Sequence, residues 1–84
     1  MKTATELKIE GRDEQELFDG LQIGMDNEVV KNPFSGESVE LCPEAVALYD
    51  LVKGAEMIGD YTNVETGLAI FSRNWPEAYM ILLD

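Results

Sequence analysis

Cys42 stands directly before Pro43-Glu44, at the entrance of a stretch with helical periodicity. A helix N-terminus favours the thiolate, so this position could turn a cysteine into a nucleophile. Glu40 and Glu44 on either side favour the neutral thiol, and the chain has no histidine to act as base. Cys42 therefore reads as a small, partly buried residue at a helix entrance. The acids Asp13-Glu14-Glu16-Asp19 and Asp26-Glu28 carry oxygen donors of the kind a hard cation needs. The alternating Asp/Asn, central Gly and distal Glu of an EF-hand loop are absent. Gly59-Asp60-Tyr61-Thr62-Asn63-Val64-Glu65 also alternates oxygen donors, but Tyr61 and Val64 suit turn and helix packing equally well. Charge runs of this type mark solvated faces, so neither metal nor cofactor is expected. Paired carboxylates can run hydrolysis where burial drives their pKa values apart. With 17 acids, some pair will approach a working spacing by chance. There is no P-loop, dinucleotide fingerprint or Gly-x-Ser-x-Gly element. The chain is expected to carry no catalytic residue and not to be an enzyme, with a small acid-dependent hydrolase as the enzymatic alternative.

The 84 residues hold 17 Asp and Glu against six Lys and Arg, for a net charge of −11. A polyanion repels phosphate backbones and anionic membranes, which leaves direct nucleic-acid or membrane binding without a physical basis. Hydrophobic content of 45% is that of a globular chain and is too high for a disordered acidic tail. One small domain over residues 1–84 is expected. The single Cys42 cannot form an internal disulfide and no cleavable signal is visible, so the cytoplasm is the expected compartment. The longest apolar run, Tyr79 to Leu83, is far short of the ~20 residues that span a bilayer.

Periodicity places the elements. Thr5, Leu7 and Ile9 alternate with charged residues, which suits a half-buried strand or, with Thr5 as cap, a short helix. Asp13 can cap a helix with Leu17, Leu21 and Met25 on one face, shortened or bent by Gly20 and Gly24. Val29-Val30 and Val39 to Leu41 flank Asn32-Pro33-Phe34-Ser35-Gly36 and read as a β-hairpin. Pro43 suits the first position of a helix that Gly59 stops. Asn63 can cap the next helix, which ends near Asn74, and Pro76 can open a last one. The expected fold is α+β: a small antiparallel hairpin, widened or not by the N-terminal segment, on three or four short helices. A mainly α-helical bundle is the alternative.

From Ala45 to Leu83 the chain resembles a tetratricopeptide-type helical hairpin. Leu48 and Leu51 lie in the first helix, Gly59-Asp60-Tyr61 forms the turn, and Pro76 falls 17 residues after Gly59. Val52, Val64 and Phe71 stand where that family has small residues, and a stable stack of such repeats needs about three units. The resemblance therefore implies similar supersecondary geometry rather than membership. The run from Asn32 to Glu37 and from Leu41 to Asp50 resembles small uncharacterised proteins of tailed phages, including those of cyanobacteria. That resemblance implies a viral protein working inside a bacterial host and carries over no site residue.

The functional expectation is a non-enzymatic interaction module, a phage accessory protein that binds a host or viral protein with a basic surface. Phe34, Trp75 and Tyr79 are the expected partner-binding anchors, since aromatic residues are enriched at interface centres. The alternative is an anionic mimic occupying the nucleic-acid cleft of a basic protein.

Overall fold

The structure, a computed structural model, describes residues 7–83. Its elements are α1 (Gly11–Asp19), β1 (Glu28–Lys31), β2 (Ser38–Leu41), α2 (Pro43–Ile58), α3 (Tyr61–Asn74) and α4 (Pro76–Leu82). This is the α+β arrangement that periodicity implied, a two-stranded antiparallel hairpin with four helices. No helix among the described residues is long and apolar enough to cross a membrane.

The α2–α3 hairpin is the scaffold. Pro43 begins α2, where its missing N–H would have no intrahelical partner. Gly59 ends it in the left-handed conformation, φ 75°. The Asp60 N–H then donates to the Ala55 carbonyl at 2.9 Å and the Gly59 N–H to Glu56 at 3.3 Å, the bonding of a Schellman turn. So short a turn starts α3 at Tyr61, earlier than the cap expected at Asn63. Asp60 is the cap: its carboxylate accepts from the Asn63 N–H at 3.4 Å and from Nδ2 of the same residue at 2.8 Å.

Leu48, Ile70 and Phe71 are fully buried and, with Leu41, Ala45, Ala78 and Leu82, join the two helices to β2 and α4. Val52, Ala55 and Val64 form a second cluster nearer the α2–α3 turn. Gly67 lets the helices meet there, for a Cβ at that position would stand 2.6 Å from Cγ2 of Val52. The small residue that close approach needs is thus present on α3, opposite the valine that replaces one on α2.

α1 is short, as Gly20 and Gly24 imply, and ends before the Leu17–Leu21–Met25 spacing is complete. It starts at Gly11, with Glu10 rather than Asp13 at the cap position, and stops at Gly20. Leu17 and Leu21 still pack against the core, but Met25 is 91% exposed. The two glycines deny the helix the propensity to reach it. The N-terminal strand or helix was expected over residues that lie partly outside those described. Residues 7–10 form neither, and the sheet has two strands among the described residues. Instead the Asn74 side chain acts as a strand partner for Lys8: its Oδ1 accepts from the Lys8 N–H at 2.7 Å and its Nδ2 donates to the Lys8 carbonyl at 3.1 Å.

Candidate partner-binding surface

The hairpin turn is built around one side chain. Asn32 Oδ1 accepts from the backbone N–H of Phe34 at 2.8 Å and of Ser35 at 3.4 Å. Its Nδ2 donates to the Ile81 carbonyl at 2.8 Å, which ties the turn to α4. The Asn32 N–H donates to the Glu37 carbonyl at 2.7 Å, and the Gly36 N–H, at φ 81°, returns to the Asn32 carbonyl at 2.9 Å. Asn and Gly satisfy such turns because one bonds its own following backbone and the other tolerates positive φ. The residue held at the apex of this bonded frame is Phe34, 97% exposed.

Trp75 and Tyr79 occupy different ground. Trp75 joins α3 to α4, and its ring lies 5.4 Å from that of Phe71, centroid to centroid. Both Trp75 and Tyr79 are half-buried against the main core. Trp75 lines a groove of about 550 Å³ between α4 and the base of the hairpin, with Glu40, Cys42 and Glu77. Phe34 lines another, of about 300 Å³, with Tyr49, Lys53 and Leu83. The three expected anchors are therefore not one cluster: Phe34 is presented to solvent, whereas Trp75 and Tyr79 contribute to packing first. Met57, Ile58 and Tyr61 add exposed apolar surface at the α2–α3 turn.

The charge is sparsely paired. Among the described residues four acids meet a cation: Glu16 with Arg12, Glu56 with Lys53, and Glu10 and Glu14 with Arg73. The Arg73 fork is the structured one. Its Nη1 lies 2.7 Å from Glu14 Oε1 and 3.0 Å from the Lys8 carbonyl, and its Nη2 lies 3.1 Å from Glu14 Oε2. Hydrogen bonding to Arg73 holds the Glu14 carboxyl below the ordinary glutamate range against the opposing effect of desolvation, helped by the Glu10 N–H. The same contact raises the Arg73 pKa above its ordinary value. Nothing in the sequence paired residues 59 positions apart.

Cys42 is half-buried at the cap position of α2, and its side chain makes no capping bond. Glu44, in the first turn of α2 where an acid favours the helix dipole, is only 6% exposed, and its Oε1 has no hydrogen-bond partner. Among the described residues no group of three or more Cys, Asp or Glu side chains is placed to hold a metal ion. Comparison of the chain with protein-family models, with curated proteins and with solved structures finds no match in any of the three.

Proposed function

We propose that the chain is a non-enzymatic protein-interaction module that binds a host or viral protein with a basic surface, in keeping with its resemblance to small phage proteins. The observation that carries this reading is Phe34. A phenylalanine left 97% exposed forgoes the stabilisation that burial would give, yet Asn32 and Gly36 fix the turn that displays it. An aromatic side chain on a pre-ordered loop binds without the entropic cost of ordering that loop. The net charge of −11 supplies the second element, attraction that speeds encounter with a basic surface and falls as salt rises.

Phe34→Ser tests the reading. Phe34 touches little of the fold, so the melting temperature should hold within what ~0.5 kcal/mol allows. Burying the ring in a partner is worth about 1.5–3 kcal/mol, so dissociation of the complex should accelerate by roughly ten- to a hundredfold. An unchanged off-rate would remove Phe34 from the interface and the reading with it.

A further inference from the structure

We propose that the groove between the base of the hairpin and α4 receives an arginine or lysine side chain from an extended segment of the partner. This deepens the reading above and rests on it. One wall is the run Val39 to Cys42 and the other the run Trp75 to Ala78. A wall of four consecutive strand and strand-exit residues runs about 13 Å, room for roughly four residues of an extended peptide laid along it. The volume of about 550 Å³ lies within the range of specific binding sites.

Chemistry narrows the occupant. Val39, Cys42, Trp75 and Pro76 give the groove an apolar lining above the buried Leu41 and Ala78, and its two charged residues, Glu40 and Glu77, are both acidic. Asn27 Nδ2 donates to Glu40 Oε2 at 3.1 Å and steadies that carboxylate at the rim. A purely apolar segment would strip water from these carboxylates without replacing its hydrogen bonds, which is costly. An acidic segment would be repelled. Arginine and lysine meet both demands, because their stems are apolar and their heads charged. Arginine fits better, since its planar fork can bond a carboxylate in two places and stack on an indole face.

The chain reports on this groove without a label, for Trp75 is its only tryptophan. The probe is a blocked decapeptide of alternating arginine and leucine, with the same peptide carrying citrulline or glutamate in place of arginine as controls. In 50 mM sodium chloride the arginine peptide should give a saturable change in Trp75 emission. Citrulline should weaken binding at least tenfold, and the glutamate peptide should give no saturable change. Glu40→Gln/Glu77→Gln should weaken the arginine peptide at least tenfold. Asp50→Asn/Glu65→Gln removes the same charge from exposed positions outside the groove and should weaken it no more than about twofold.

Equal losses in the two double variants would mean that overall charge, not the groove, attracts the peptide; the proposal would fall and the basic-partner reading would stand. Equal binding of the citrulline peptide would also overturn the proposal, and that arm needs no variant to fold. A Trp75 signal that changes with protein concentration alone would assign the groove to a second copy of the chain. No saturable change with the arginine peptide would overturn the proposal, whereas the off-rate of the Phe34→Ser complex tests the underlying reading separately.

Discussion

Replacing glycine by alanine at two helix-interior positions should change stability in opposite directions. In an unobstructed helix the substitution gains about 1 kcal/mol from propensity. Gly54 in α2 is exposed, and a Cβ there would meet nothing within 4 Å. Gly54→Ala should therefore realise the gain and raise the melting temperature by roughly 4–8 °C, the scale for a domain of this size. At Gly67 the added carbon would stand 2.6 Å from Cγ2 of Val52, whereas apolar carbons rest about 3.5–4.0 Å apart. Something must move by roughly an ångström to restore that spacing. Val52 is fully buried, and its branched side chain has few rotamers to retreat into. Overpacking of this kind costs about 1–3 kcal/mol, which exceeds the propensity gain. The expected net loss is about 1 kcal/mol, a drop of roughly 4–8 °C. Melts followed by far-ultraviolet circular dichroism measure both variants directly. In the Val52→Ala/Gly67→Ala double variant the clash is gone, so its loss should fall short of the sum of the two single losses by at least about 1 kcal/mol. A Gly67→Ala variant that melts higher than the native chain, as Gly54→Ala should, would refute the close approach of α2 and α3.

Further outcomes follow from the charges and the aromatic joint. Glu14 has its pKa lowered by Arg73, so its contribution is complete above the ordinary glutamate value of about 4.3 and is lost as pH falls through the lowered folded value. Glu14→Gln should therefore lower the melting temperature at pH 7, and the gap to the native chain should close in acid; a gap that widens below pH 4.3 would contradict this. Because only four acids are paired among the described residues, raising sodium chloride from about 10 to 200 mM should increase the melting temperature by screening repulsion; a decrease would show that ion pairs outweigh it. Trp75→Ala removes a half-buried ring from Phe71 and should cost about 2–3 kcal/mol in thermal melts, less than a fully buried aromatic. A cost below about 0.5 kcal/mol would make Trp75 a surface residue.

Local chemistry made the hairpin and the α2–α3 unit legible. Pro43, Gly59, Pro76 and the Asn32-to-Gly36 turn each specify backbone geometry through their own structure, so neighbouring residues were enough to place them. The start of α3 was harder, because Asp60 and Asn63 are both good caps and the choice depends on how tightly Gly59 turns. α1 ends at Gly20, as its glycines imply, but it begins at Gly11, ahead of the cap that Asp13 suggests, because Asp13 and Glu14 sit equally well within a first helical turn. Long-range partners left no local trace. Arg73 meets Glu14, and Asn74 meets Lys8, across most of the chain, and Gly67 reveals its purpose only when Val52 stands opposite. The candidate surface was half legible. Composition supplied aromatic candidates and an excess of acids, but only the folded chain separates Phe34, raised into solvent, from Trp75 and Tyr79, which pack.

Site-specific photocrosslinking from position 34 asks whether Phe34 meets a basic partner in the cell. A benzophenone amino acid replaces Phe34, and the same group at exposed Gln15 serves as the control in cells that express the chain. Position 34 should give a discrete adduct with a protein bearing a basic surface, absent from the control and diminished when irradiation is repeated in high-salt extract. No adduct above the Gln15 control, or one whose partner is acidic and indifferent to salt, would contradict a Phe34-centred, basic interface.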